Sequence, residues 1–202
     1  GPYVGTMLRI TDVQTAMLDA VDRFHQTNPL EKGMTRESLR LEVQLDRGIF
    51  DAVLSEAPGF DVVGPLVRRA GYRIVLDPER QRRADAYLEQ LRQAEFQPPT
   101  PEEAGVEPDL IRAMAHLGTI VELGDGIVFL PKHVTAAQEA LIFELSQHES
   151  VSLAEFRDRL GTTRRYAQAL LEYFDRQGVT RRVGDRRVAR RPIELQEDAA
   201  KL

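Results

Sequence analysis

Residues 169–190 read "ALLEYFDRQGVTRRVGDRRVAR" and combine the signals of a helix end and a β-hairpin. Gly178 stands where a helix is expected to end in a left-handed residue. Two short β-rich runs around Gly184-Asp185 then predict a hairpin with a two-residue loop. Ahead of Gly178, apolar residues recur with the 3.6-residue period of an amphipathic helix: Ala167, Leu170, Leu171 and Phe174.

The same pattern occurs twice more in the chain. In "DLIRAMAHLGTIVELGDGIVFL", residues 109–130, Gly118 and Gly124-Asp125 repeat the two glycine positions at an offset of 60 residues. A looser copy, "IFDAVLSEAPGFDVVGPLVRRAGYRIVL", covers residues 49–76. A period of this size indicates a repeated supersecondary unit. The third copy takes its apolar set and its two glycines from Ile49, Phe50, Val53, Gly59 and Gly64.

Helix-start signals precede each of these stretches. Ser152 and Glu155 form a capping box for a short helix that ends near Gly161, and residues 100–103 (TPEE) repeat it with Pro at the first helical position. One of the two threonines at 162–163 is expected to cap the next helix. Longer helices are predicted ahead of the short ones, at residues 12–27, 78–94 and 135–148.

Each unit therefore has the order helix, short helix, turn, helix, β-hairpin, which is a winged helix-turn-helix. The predicted fold class is mostly α with small β-hairpin wings (α+β), as tandem modules in an elongated arrangement. We call residues 9–77, 78–134 and 135–191 modules 1, 2 and 3. A leader or cloning remnant at 1–8 and a tail at 192–202 flank them.

Positive charge is concentrated in module 3. The chain has 27 Lys+Arg against 32 Asp+Glu, a formal charge of −5. Residues 151–191 nevertheless contain eleven arginines against five acidic residues. Because the modules share one fold, the chain is its own control: Val121 and Glu122 of module 2 correspond to Arg181 and Arg182 of module 3. The fold alone therefore does not require these arginines.

A solvated charged face is the ordinary interpretation of such a run, but its concentration on one wing and one helix start favours a nucleic-acid surface. Arginine suits phosphate because its planar fork donates two parallel hydrogen bonds. Tyr166 could stack on an unpaired base, or could simply border the core together with Tyr173. Arg190 and Arg191 would extend the surface. The predicted binding residues are Arg157, Arg164, Arg165, Tyr166, Arg181, Arg182, Arg186 and Arg187.

Other function classes find little support. The absence of cysteine excludes disulfides, thiolate zinc sites and cysteine nucleophiles, and agrees with a cytoplasmic location. The four histidines are scattered without metal-ligand spacing, so no metal site and no enzyme activity are expected. No apolar run is long enough to span a membrane. No G-x-x-x-x-G-K-[ST] loop is present to hold nucleotide phosphates.

The residues also resemble a known family. "LAEFRDRLGTTRRYAQALLEYFDRQGVTRRVGDRRV" (153–188) is similar to the last winged helix of bacterial SelB, the selenocysteine-specific elongation factor. "FHQTNPLEKGMTRESLR" (24–40) and "IVELGDGIVFLP" (120–131) are similar to its preceding modules. The resemblance implies that the last module binds the SECIS hairpin of an mRNA, so that selenocysteinyl-tRNA is delivered to the ribosome at UGA.

The same resemblance implies further properties as expectations. The chain would be a monomeric C-terminal part of the factor, and GTP and Mg²⁺ would bind to a part that precedes it. No cofactor is expected in these 202 residues. Two other interpretations remain open: a DNA-binding winged-helix transcription regulator, which would usually be a symmetric dimer, and a protein-interaction scaffold made of modules 1 and 2.

Overall fold

The computed structural model describes the backbone of residues 2–190 and the side chains of residues 10–190. The predicted tail and Arg191 lie outside the described residues. The chain divides into two compact units, Gly1–Pro78 and Glu79–Leu202. The first unit contains module 1, and the second contains modules 2 and 3.

The first unit is a winged helix. Its small antiparallel sheet has the strand order β1-β3-β2, and Val62 pairs with Val67 in the wing. Met17 and Val21 of the first helix pack against the rest of the module in one buried cluster. The elements are α1 (Pro2–Thr27), β1 (Met34–Thr35), α2 (Arg36–Glu42), α3 (Arg47–Glu56), β2 (Phe60–Val63) and β3 (Leu66–Arg69).

Residues 78–190 contain the other two repeats of the pattern. A two-stranded hairpin, β4-β5, forms the wing of module 2, and a three-stranded sheet, β6-β8-β7, forms that of module 3. The elements are α4 (Pro78–Ala94), α5 (Pro108–His116), β4 (Val121–Gly124), β5 (Ile127–Phe129), α6 (Pro131–Gln147), β6 (Val151–Ser152), α7 (Leu153–Leu160), α8 (Arg164–Arg176), β7 (Thr180–Val183) and β8 (Arg186–Ala189).

Most of the local predictions are confirmed. Ser152 and Glu155 make both hydrogen bonds of the capping box, and α7 ends at Gly161, whose φ of 61° is left-handed. Gly178 follows α8 with a φ of 73°. The helix predicted at 78–94 has those bounds, whereas α1 and α6 each begin earlier than predicted.

The short helix predicted in module 2 is only a turn. Thr100 and Glu103 exchange the two capping hydrogen bonds, at 2.8 and 3.2 Å between donor and acceptor. The segment stops after one turn because Gly105 has a φ of 66°, which cannot continue a right-handed helix. The capping prediction is therefore confirmed, and the helix prediction is wrong.

Two further predictions about the repeats need correction. Ile49 is 55% exposed, and the buried face of α3 consists of Phe50, Val53 and Leu54. Asp46 caps α3 by accepting from the Gly48 amide, which fixes the phase of the helix and turns Ile49 outward. At the start of α8, neither threonine makes a side-chain cap: Thr163 is the N-cap residue without such a bond.

Strands β1 and β6 were not predicted. Each has only two residues, so neither shows the alternation by which a strand is recognised in a sequence. β1 places Met34 opposite Val67, and β6 places Val151 opposite Arg187. These pairs identify Arg187 as the counterpart of Val67, which is fully buried in module 1.

Modules 2 and 3 share one hydrophobic core. Leu123, Ile127 and Phe129 from the wing of module 2 belong to the same buried cluster as Leu170 and Phe174 of α8. This shared core was not predicted, because the sequence pattern was interpreted as separate small domains. Among the helices that the structure describes, none combines the length and hydropathy needed to cross a bilayer.

Candidate nucleic-acid interface

Helix α8 presents a polar face because its apolar face is completely buried. Ala167, Leu170, Leu171 and Phe174 are all at 0% relative exposure. Residues spaced by four lie one above the other on a helix. The face of α8 that points away from the core is therefore formed by Arg164, Gln168 and Glu172, of which Arg164 and Gln168 are exposed.

Two grooves run along this face, one on each side. The wing-3 groove, of about 380 Å³, lies between α8 and the hairpin of module 3, which contributes Arg182, Asp185 and Arg187. The wing-2 groove, of about 420 Å³, lies between α8 and the module 2 turn at 123–127. Helix α8 is thus flanked by two wings. Arg164, Gln168 and Glu172 line both grooves.

Three of the predicted binding residues present their guanidinium groups to the surface. Within residues 10–190, Arg164 and Arg181 take part in no ion pair and no side-chain hydrogen bond. Arg182 donates to the backbone oxygen of Gly184 at 2.9 Å and has no carboxylate partner in that range. All three are exposed. Their charge is not neutralised by a neighbouring acid, so it is available to an anionic ligand.

Arg165 and Tyr166 are placed against module 2 instead. Arg165 donates to the backbone oxygen of Asp125 at 3.1 Å. The Tyr166 hydroxyl donates to the oxygen of Pro98 at 2.8 Å, and its half-buried ring lies edge-on to Phe129. The stacking role predicted for Tyr166 is therefore not supported by its placement, whereas the alternative role at the border of the core is.

Arg186 and Arg187 are used inside module 3. Arg186 forms an ion pair with Glu155 at 2.8 Å. Arg187 is 5% exposed and lies 3.3 Å from Asp175, which also accepts a hydrogen bond from Thr180. A buried arginine that is held by a carboxylate cannot reach an external phosphate without breaking that pair. The sequence-based assignment of Arg187 to the binding surface is therefore corrected.

The capping box of α7 lies next to Arg186. Hydrogen bonds from the Ser152 backbone and side chain, and then the Arg186 guanidinium, hold the pKa of the Glu155 carboxyl below its ordinary value of 4.5. Glu155 therefore remains ionised and keeps Arg186 at the base of the wing. This pairing orients the hairpin that carries Arg181 and Arg182.

The last turn of α7 carries two further arginines, Arg157 and Arg159. Arg157 pairs with its neighbour Asp158 at 2.5 Å. Arg159 lies 3.4 Å from Glu144 and stacks over the exposed ring of Phe143, with its guanidinium carbon 5.4 Å from the ring centroid. Both charges are partly neutralised, so these residues contribute less than Arg164 to the positive electrostatic potential of module 3.

Module 1 has the corresponding groove, but its arginines are paired with acids. Arg36 lies 2.8 Å and Arg47 3.9 Å from Asp51, and Arg40 lies 2.6 Å from Glu37. Arg47 is the first residue of α3, as Arg164 is the first residue of α8. The same fold thus carries a neutralised groove in module 1 and an uncompensated positive one in module 3.

The histidines do not form a metal site. Among the residues that the structure describes, no three His, Asp or Glu side chains are grouped to hold an ion. His25 and His133 are buried, and burial lowers the pKa of each imidazole. His25 stacks on Tyr72 with 3.5 Å between ring centroids, so its role is in packing.

The sequence analysis missed Gln168 and Glu172 as members of the surface. Gln168 donates through Nε2 to Glu172 Oε1 at 2.9 Å. Their spacing of four residues from Arg164 was available in the sequence. A neutral amide adds nothing to a pattern of positive charge, however, and an acidic residue is not expected on a surface that binds phosphate.

Two segments of the chain match models of known winged-helix domains. Residues 18–57 and residues 144–189 match two family models, each described as a winged helix of elongation factor SelB. The two matched segments are therefore similar to SelB winged helices, and together they cover less than half of the chain. The first match covers the last part of α1 and all of β1, α2 and α3 in module 1, and the second covers α7, α8 and the wing of module 3. No curated protein sequence matches the chain.

Two solved structures are similar to this chain. One is the mRNA-binding domain of elongation factor SelB from E. coli in complex with SECIS RNA, at 24% identity and a TM-score of 0.46, covering 57% of this chain and 100% of that one. The other is bacterial selenocysteine-specific elongation factor EF-Sec, at 17% identity and a TM-score of 0.50. It covers 90% of this chain, which spans 30% of that protein's length.

Proposed function

We propose that the chain is an mRNA-binding part of a selenocysteine-specific elongation factor and that module 3 binds a SECIS hairpin. One observation carries the proposal: Arg164 and Arg182 line the wing-3 groove and, like Arg181 on the same wing, have no acidic partner within residues 10–190, while the arginines of the corresponding groove in module 1 are paired with acids. The SelB family models on both modules support it, as does the RNA named for a protein of similar fold.

The three arginines would bind backbone phosphates, and the sequence would be recognised elsewhere. The major groove of A-form RNA is too narrow for a helix to enter, so base recognition requires unpaired loop or bulge nucleotides. Each phosphate contact releases counterions, which makes the affinity salt-dependent. Modules 1 and 2 would serve as a spacer, since their negative charge repels RNA.

The rest of the factor supplies the remaining activities in this proposal. The ribosome and selenocysteinyl-tRNA would be its partners in the cytoplasm, with the chain acting as a monomer. The residues present do not fit a GTP site, because the 202 residues contain no phosphate-binding G-x-x-x-x-G-K-[ST] loop. GTP and Mg²⁺ are therefore not assigned to this chain, and no catalytic role is proposed for it.

Fluorescence anisotropy across a salt series tests the proposal. The ligands are a bulged mRNA hairpin that follows a UGA codon, the same hairpin with its loop scrambled, and a DNA duplex. We expect the first to bind tightest, and Arg164→Ala to weaken binding and flatten the log–log salt slope by about one unit.

Arg47→Ala is the matched control, because Arg47 occupies the first position of α3 as Arg164 does of α8. It should leave both the affinity and the salt slope unchanged. Equal binding of all three ligands, or a preference for the DNA duplex, would contradict the proposal and favour a DNA-binding regulator.

A further inference from the structure

The position one helical turn after Arg164 carries a different type of residue in modules 1 and 3. Counted from the first residue of each helix, Gln168 of α8 corresponds to Asp51 of α3. In module 1, Asp51 pairs with both Arg36 and Arg47. An acid at this position therefore neutralises the arginine that precedes it by one turn, whereas a glutamine leaves Arg164 free of an acidic partner.

The amide of Gln168 also makes a side-chain hydrogen bond along the helix. Its Nε2 donates to Glu172 Oε1 at 2.9 Å, one further turn along α8. This bond uses one amide hydrogen, and it leaves the carbonyl oxygen as an acceptor and the second hydrogen as a donor. The bond favours one orientation of the amide, in which the carbonyl oxygen and the second hydrogen are available to a ligand.

Gln168 lies where both grooves meet. It lines the wing-3 groove and the wing-2 groove, which have volumes of about 380 and 420 Å³, within the range of small-molecule pockets. The arginines at the start of α8 and on the wing carry charge, which fixes a backbone but does not distinguish bases. The Gln168 amide is a group of the type that can distinguish them.

We infer that Gln168, oriented by Glu172, is the specificity residue of this surface and contacts the polar edge of an unpaired nucleotide of the bound RNA. The inference rests on the proposed function, because it requires a hairpin to be held on α8 by the arginines. Glu172 acts through Gln168 as a positioning residue. Its own carboxylate is already used by the amide and would repel phosphate, which keeps the backbone at the Arg164 end of the face.

A panel of hairpins tests the inference with the full 202-residue chain. Each hairpin has the same stem, and the unpaired nucleotides of the bulge and loop are changed one at a time. We expect the wild type to prefer one nucleotide at one unpaired position. Gln168→Ala should reduce the ratio of affinities between the preferred hairpin and the others by about tenfold, with an unchanged salt slope. Glu172→Ala should reduce the same preference less, because the amide is kept but released.

Two comparisons separate this inference from the proposed function. Arg164→Ala should weaken binding of every hairpin to the same extent and should keep the preference. Gln168→Asp introduces the residue that module 1 has at this position. The new carboxylate should pair with Arg164 and so weaken the binding of all hairpins. Unfolding midpoints of all variants should equal that of the wild type, since the substituted side chains are at the surface.

An unchanged preference in Gln168→Ala overturns the inference while leaving the proposed function intact. A uniform loss for all hairpins in that variant, with a changed salt slope, also overturns it, since Gln168 would then only shape the phosphate surface. If the wild-type chain binds no hairpin with salt-dependent affinity, the proposed function fails, and the inference fails with it.

Discussion

Arginines of module 3 that look equivalent in the sequence differ in their exposure and contacts in the structure. Arg164 and Arg181 are exposed and lack acidic partners within the described residues, Arg165 bonds to module 2, and Arg187 is buried against Asp175. The difference follows from strand register: pairing with β6 places Arg187 on the core side of the wing. Composition indicates a basic region, but only the register decides which charges reach the solvent.

Arg187→Val tests this assignment. The variant introduces the residue of module 1 but leaves the largely buried Asp175 without its cation, so we expect a loss of about 3 kcal/mol in the free energy of unfolding. Urea denaturation followed by far-UV circular dichroism measures it, since the chain has no tryptophan. Arg181→Val is the matched control and should change stability by no more than about 0.5 kcal/mol. Equal effects of the two variants would place Arg187 at the surface.

The first and last residues of α7 are set by local signals at each end of the helix. The capping box at Ser152 begins the helix, and the left-handed Gly161 ends it. Both signals were predicted from the sequence, because capping depends on residues that are close in the chain. In module 2 the same signal begins a segment that Gly105 ends after a single turn. A start signal alone therefore does not set the length of a helix.

Gly161→Ala should destabilise module 3 by about 1 kcal/mol, because an alanine must adopt a φ of 61°. No atom lies within 4 Å of the added Cβ, so the cost is conformational and not steric. Gly48→Ala serves as the control: its Cβ would lie 3.6 Å from Asp46 Oδ1 in ordinary helical backbone, and no loss is expected. Thermal unfolding of both variants measures the difference, and equal midpoints would contradict the prediction.

The stability of the capping box should depend on pH. The hydrogen bonds from Ser152 hold the pKa of Glu155 below 4.5 in the folded chain. A lowered folded pKa gives stabilisation that is complete above the unfolded value and is lost as the pH falls through the folded one. Glu155→Gln keeps an acceptor in the box but removes the charge. The difference in urea midpoint between wild type and variant should therefore be complete at pH 7 and shrink as the pH falls below 4.5 towards 3.

This comparison is a difference between two chains, so the similar pKa depressions at Glu37 and Glu103 cancel. A difference between the two urea midpoints that persists unchanged at pH 3 would show that the charge of Glu155 does not contribute.

At the scale of the whole molecule, modules 2 and 3 are joined by α8. Arg165 and Arg176 lie on the side of the helix that faces module 2, and they donate to the backbone oxygens of Asp125 and Leu123. Thr162 adds a hydrogen bond to the oxygen of Phe96 at 2.5 Å. The helix proposed to bind RNA is therefore also the element on which the wing of module 2 rests.

Replacing both Arg165 and Arg176 by alanine should loosen the wing of module 2. We expect faster amide hydrogen exchange over residues 121–129, because two side-chain bonds to this hairpin are lost. Exchange over residues 34–69 in the first unit should not change. Arg164→Ala, on the same helix but without a bond to module 2, should leave both regions as in the wild type. Unchanged exchange over 121–129 in the double variant would show that the shared apolar core holds the wing by itself.

The repeated helix-hairpin pattern, the capping boxes, the turn glycines and the basic character of module 3 could all be predicted from the sequence. These features depend on neighbouring residues, so periodicity and local chemistry were sufficient to predict them. Three placements became visible in the folded chain alone. Arg187 faces the core, the Tyr166 hydroxyl donates to the backbone oxygen of Pro98, and Gln168 lies between two wings. These placements depend on strand register and on packing between residues far apart in the chain, for which a single sequence contains no periodic signal.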